Sequence, residues 1–224
     1  MVAMADLHVP ERLLNEQALD VIRGWILNCR IAPGATVSER GLAAELGFGV
    51  GTIRAALTRL FSEGLVEAIP RVGYRVVPIT LRSVTDFFDA WEVIAPALVG
   101  LAVSRLRPEH LARIQSLAPV AESASAEEAV QYADAYFDIL LDAVDNKTLT
   151  DVYRRVNRDN HRLFVLTFRT GALGVLPSTP FIPSVETRDK AESQALAFVA
   201  RFRTAVLQMV LSSSTLANVE LRFD

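Results

Sequence analysis

The chain has 224 residues, 51% hydrophobic and 22% charged, with a formal net charge of −3. That length suits one or two domains, and the composition excludes a disordered chain. Its single cysteine, Cys29, excludes an intrachain disulfide and a zinc-ribbon site.

Residues Pro10 to Cys29 have helical period, with Leu14, Ala18, Val21, Ile22 and Trp25 on one face. Pro33-Gly34 breaks that helix, and Thr36-Val37 reads as a very short strand. Ser38 is placed to cap a second helix, with Glu39 in its first turn to complement the dipole and Gly47 to end it. A third helix is predicted from Gly51 or Thr52 to Glu63, burying Ile53, Ala56, Leu57 and Leu60. Leu65–Ile69 and Tyr74–Val77 read as strands joined by the turn Pro70-Arg71-Val72-Gly73. Two helices joined by a short glycine-containing turn and followed by a hairpin predict a winged helix-turn-helix over residues 1–78.

Residues 79–82 read as a linker, and residues 83–224 as an all-helical bundle. The predicted helices are Ser83–Arg105, Pro108–Val120, Ser125–Asp145, Thr148–Arg169, Thr187–Arg203 and Thr204–Leu216. Pro108 suits a first turn, Ser125 to Glu128 is a capping box, and Pro96 is expected to kink its helix. Gly171 to Ser184, with Pro177, Pro180 and Pro183, reads as a long loop. No apolar run reaches the ~18 residues of a membrane span. The richest, Phe87 to Val103, is interrupted by Asp89 and Glu92. The N-terminus does not read as a signal peptide. A cytoplasmic, mainly α protein with no membrane partner is expected.

Several motifs occur in order over residues 11–78. They are Ile31-Ala32-Pro33-Gly34, Ser38-Glu39-Arg40-Gly41-Leu42-Ala43, Leu46-Gly47, Ile53-Arg54-Ala55-Ala56-Leu57, Glu63-Gly64-Leu65-Val66 and Pro70-Arg71-Val72-Gly73. Together they resemble the GntR family of transcription regulators. The helical remainder resembles the FCD (FadR C-terminal) type, which would place the chain in the FadR subfamily. The resemblance implies a homodimer on a palindromic operator in double-stranded DNA, responsive to a small-molecule effector, with no catalytic residues and no cofactor. It implies base or phosphate contacts from Arg40 and Arg54, phosphate contacts from Ser38, Thr52 and Arg59, and a wing-tip contact from Arg71. Arg40 is open to a second reading, as a structural partner of Glu45 or Glu63.

Two features run against that expectation. Residues 1–78 hold eight Arg, no Lys and eight acids and are neutral, so a basic face must come from arrangement. Where the family usually has Ser-Arg-Thr-Pro, this chain has Gly49-Val50-Gly51-Thr52.

FCD domains often bind a metal through an Asp, a His four residues on, and two later His. The corresponding positions here are Asp134, Asp138, Ser193 and Thr215, so a transition-metal site is not expected. Asp134 and Asp138 suit a hard cation at best. Trp91, Asp134, Asp138 and His161 are the candidate effector residues, and Tyr132, Tyr136 and Phe137 candidate walls, although aromatic residues at helical spacing also make ordinary core. Two other classes stay open. One is an interaction module with a degenerate helix-turn-helix. The other is a metal-dependent small-molecule enzyme, for which no phosphate loop, His-Glu-x-x-His or nucleophile motif is present.

Overall fold

The computed structural model describes residues 11–117, 124–171 and 187–212. The chain divides into two compact units between Ile79 and Thr80.

In the first unit, α1 (Glu11–Leu27) lies on a helix-turn-helix, α2 (Glu39–Leu46) and α3 (Val50–Ser62). Three short strands follow the order β1-β3-β2: β1 (Thr36–Val37), β2 (Val66–Ile69) and β3 (Gly73–Val76), antiparallel throughout. The register sets Val37 opposite Tyr74 and Val66 opposite Val76. Ala18, Ile22 and Ile26 of α1 meet Leu42, Ile53, Leu57, Leu60 and Val76 in one buried cluster. Full burial of each such aliphatic chain is worth about 1.5–3 kcal/mol, which is what holds helices this short in place. α3 begins earlier than the sequence suggested, at Val50, because Gly49 supplies an extended N-cap (φ −65°, ψ 148°) and both Val50 and Gly51 join the first turn.

The second unit is helical: α4 (Leu81–Val103), α5 (Pro108–Ser116), α6 (Ala126–Val144), α7 (Lys147–Arg169) and α8 (Arg188–Ser212). α4 is central, packing along α8 and against α6 and α7. Phe88 of α4 and Phe164 of α7 both pack on the Phe202 ring of α8, at 5.4 and 6.0 Å.

Three expectations are corrected here. α4 starts at Leu81, so Leu81 and Arg82 belong to a helix and not to a linker. Thr80 Oγ1 accepts from the Ser83 amide and Ser83 Oγ accepts from the Thr80 amide, a capping box with Ser in place of the usual Glu. The two helices expected over Thr187–Arg203 and Thr204–Leu216 are one helix as far as Ser212. No breaker separates Arg203 from Thr204, whose hydroxyl donates back to the Ala200 carbonyl at 3.0 Å and so does not act as a cap. α8, and not the Phe87–Val103 stretch, is long and apolar enough by composition to cross a membrane. It is amphipathic, burying Ala191, Ala195, Val199, Phe202, Val206 and Met209 inside the unit. α4 continues through Pro96. The proline-containing loop beyond Gly171, together with His8 and Thr215, lies outside the described residues.

Candidate functional site

The helix-turn-helix is built by local chemistry. Ser38 caps α2 in extended backbone (φ −115°, ψ 150°), its hydroxyl accepting from the Gly41 amide at 3.0 Å. Gly47 ends α2 in the left-handed region (φ 74°), returning its amide to the Ala43 carbonyl. α3 then turns Ile53, Ala56, Leu57 and Leu60 inward, leaving Val50, Gly51, Arg54, Ala55 and Thr58 exposed. Thr52 is half-buried.

Arg54 stands on that exposed face with its side chain 64% exposed, yet it is held. Its Nε and Nη2 donate to the Glu39 carboxylate at 3.0 and 2.8 Å, across the turn from α3 to α2. The guanidinium holds the Glu39 carboxyl below its ordinary range, and Glu39 in turn raises Arg54. Sequence reading missed this pair because its members are 15 residues apart.

Arg40 is exposed on α2 and makes no ion pair among the described residues. Glu63, one of its two anticipated partners, is taken by Arg23 at 2.7 Å and approached by Arg59 at 4.0 Å. Arg71 occupies the wing tip at φ 66°, a left-handed conformation rare for a residue with a Cβ. Its neighbour Val72 is 55% exposed.

These pairings resolve the neutral charge of the unit. Arg12 faces Glu16, Arg23 faces Asp20 and Glu63, and Arg75 faces Glu67 across the hairpin. Arg30 lies over the Trp25 ring at 4.0 Å. Glu16, Asp20, Glu63 and Glu67 therefore neutralise arginines that brace the fold, and Arg40, Arg71 and the Glu39-held Arg54 remain exposed on α2, the wing and α3.

Residues 14–76 match the family described as bacterial regulatory proteins, gntR family. The first unit is a GntR-type winged helix-turn-helix. A transcriptional repressor of Escherichia coli, GlaR, is 34% identical over 86 residues, 38% of this chain and 37% of its own length. The chain thus spans little more than a third of that relative in alignment. The uncharacterised regulator YdhC of Bacillus subtilis is 22% identical over 157 residues, 68% of this chain and 70% of its own. The solved structure of E. coli McbR/YncC superposes with TM-score 0.57 at 16% identity, covering 98% of each chain. A GntR regulator from a Rhodococcus superposes with TM-score 0.55 at 18% identity, over 89% of this chain and 98% of its own. These two likenesses extend the shared fold into the helical unit. The relatives named here are described as transcription regulators.

In the helical unit the four candidate effector residues are distributed over α4, α6 and α7. Trp91 is buried, stacked on Phe87 at 5.9 Å and close to Phe137 and Tyr153 at 6.0 and 5.6 Å, as ordinary core. Tyr136 is buried too, its ring edge-on to Phe137. Asp134 is bound to α7, accepting from Asn157 Nδ2 at 3.2 Å with His161 Nδ1 at 3.6 Å. Asp138, one turn on, lines a separate open groove with Arg113, Leu141, Asp142, Thr150 and Arg154. Ser193 is exposed on α8, donating to the Asp189 carbonyl. No group of three His, Cys, Asp or Glu suited to a metal occurs among the described residues. Tyr153 was not anticipated. Its hydroxyl is buried without a hydrogen-bond partner, and burial, reinforced by Asp134 and Asp138, pushes its ionisation well above the usual range.

Proposed function

We propose that the chain is a ligand-responsive transcription regulator of the FadR subfamily, with an FCD-type helical domain, acting in the cytoplasm as a homodimer on a palindromic operator. The observation that carries the reading is the set of exposed arginines Arg40, Arg54 and Arg71 on α2, α3 and the wing, in a unit where Glu16, Asp20, Glu63 and Glu67 pair with other arginines and Glu39 pairs with Arg54. α3 is the element to enter the major groove, with Arg54 and Arg40 near base edges. Ser38, Thr52 and Arg59 set the register on phosphates, and Arg71 follows the backbone or minor groove. Two-fold pairing of chains makes the operator palindromic. The effector reading rests on polar positions of α6 and α7, the Asp134–His161 pair and Asp138 one turn on, with Trp91 in the core behind them as a candidate apolar wall. An effector shifts the equilibrium of DNA-bound arrangements only by its differential affinity for them.

The test is fluorescence anisotropy with DNA from upstream of the protein's own coding region, against scrambled DNA and across a salt series. Preferential binding, with log affinity falling linearly in log salt by roughly 0.9 per neutralised phosphate, is expected. Arg54→Ala is expected to weaken the specific complex more than the scrambled one. Equal, weak binding to both DNAs, followed by an empty genome-wide selection of bound fragments, would replace this reading with the interaction module. The Gly49-Val50-Gly51 start of α3, which lacks a side-chain cap, is the observation that favours that second reading.

A further inference from the structure

The groove on the helical unit has a charge pattern that its own side chains do not resolve. It encloses about 380 Å³ between α5, α6 and α7, lined by Arg113, Asp138, Leu141, Asp142, Thr150 and Arg154. That volume lies at the lower end of small-molecule sites, about 300–1,000 Å³. Arg113 is ion-paired with Asp142, and buried His110 approaches the same carboxylate at 3.7 Å. Those groups satisfy one another. Asp138 on α6 and Arg154 on α7 do not. Both are exposed to the groove, they carry opposite charges, and neither makes an ion pair with the other or with any described residue.

We propose that this groove binds the zwitterionic head of a free α-amino acid, its carboxylate on Arg154 and its ammonium on Asp138. An arginine fork matches a carboxylate in two parallel hydrogen bonds. An ammonium has three donors and needs acceptors. Asp138 supplies two oxygens. Thr150 offers a hydroxyl on the Arg154 side of the groove. Leu141 is the one apolar lining residue, so recognition falls on the charged head and the ligand's side chain is left toward the open side. A simple carboxylate leaves Asp138 facing it unpaired, and a simple amine does the same to Arg154. The requirement for both charges on one small molecule follows. This proposal rests on the effector reading above and adds the chemical class of the ligand. It keeps Asp138 as a ligand residue and assigns Arg154 and Thr150 beside it.

The experiment is a thermal-shift screen of the full chain against the L-amino acids, followed by calorimetry of the best of them. Calorimetry includes its des-amino and des-carboxy counterparts. At least one amino acid is expected to bind saturably, with both counterparts weaker by about tenfold or more. Asp138→Asn and Arg154→Gln are each expected to weaken binding by a similar factor, while Arg82→Gln, on the exposed start of α4, leaves it unchanged. Thr150→Val, which keeps the side-chain shape, gives a smaller weakening and serves if either charge variant fails to fold. Absence of saturable binding at millimolar amino acid overturns the proposal. So does equal binding of the des-amino acid, which would make the groove a plain anion site. If another small molecule releases DNA in the anisotropy assay while amino acids do not bind, the groove assignment falls and the regulator stands. If the amino acid binds in the stated pattern and DNA affinity never responds, the groove stands and the ligand-responsive reading falls.

Discussion

Gly73→Ala tests whether the wing is positioned by the close approach of β3 to β1. Gly73 has φ +135°, and a Cβ built there falls 2.6 Å from the Val37 carbonyl oxygen, a backbone atom of β1. Two costs add. Holding a residue with a Cβ in that backbone region costs about 1–3 kcal/mol. Moving packed neighbours aside costs about another 1–3 kcal/mol. The floor of about 2 kcal/mol is a large share of the roughly 5–15 kcal/mol that holds a domain together. In a unit of this size each kcal/mol moves the melting midpoint by about 4–8 °C, so a fall of about 8 °C or more is expected. Trp25 in a Trp91→Phe background reports the first unit alone, since the chain has two tryptophans. Below the new midpoint, DNA affinity is also expected to fall, because the Val37–Tyr74 pairing that anchors the wing has shifted. An unchanged midpoint would refute the reasoning.

Other substitutions carry opposite or separable signs. Gly51→Ala meets no atom within 4 Å and lies inside α3, so it is expected to stabilise the first unit by about 0.5–1 kcal/mol, read in the same melt. Arg71→Gly relieves the left-handed wing tip and is expected to leave the melt unchanged or raised, while DNA binding weakens and its salt slope drops by about 1. Tyr153→Phe removes a buried hydroxyl without a partner and is expected to be neutral or stabilising by up to about 1 kcal/mol in urea titration; a clear loss would mean the hydroxyl is bonded in solution. Tyr136 and Tyr153 are held neutral by burial, with folded-state ionisation raised above the ordinary value of 10.0. Their contribution is intact below that value, and as pH rises above it the unfolded chain loses protons first. The helical unit is then expected to lose up to about 1.4 kcal/mol per pH unit per tyrosine, followed by alkaline titration of Trp91 fluorescence and abolished in the double Phe variant.

Much of the first unit was legible because each element carries its own local signal. Ser38 and Gly47 mark the two ends of α2, and the period of Ile53, Ala56, Leu57 and Leu60 fixes the inner face of α3. The start of α4 was not, because Ser83 stands where a capping box normally shows Glu or Gln. The continuity of α8 was obscured by Thr204, a residue type that also begins helices. The sites were less legible than the elements, since side-chain pairs across helices depend on crossing geometry that period does not encode. Trp91, a candidate ligand residue, packs on Phe87 and near Phe137, and Asp138 and Arg154 line one groove only because α6 and α7 pack together.

The carboxylate that holds Arg54 has a consequence for search along DNA. With the proposed role for Arg54, any DNA must offer that guanidinium something better than Glu39 already offers it. A lone phosphate oxygen replaces one charged acceptor with another and gains little. A guanine edge presenting two acceptors in the right plane can match the fork while leaving Glu39 free to turn to solvent. An internal acceptor of this kind lowers affinity everywhere and lowers it most at wrong sites, so the protein rejects before it reads. Removal of Glu39 would then make a tighter binder with poorer judgement.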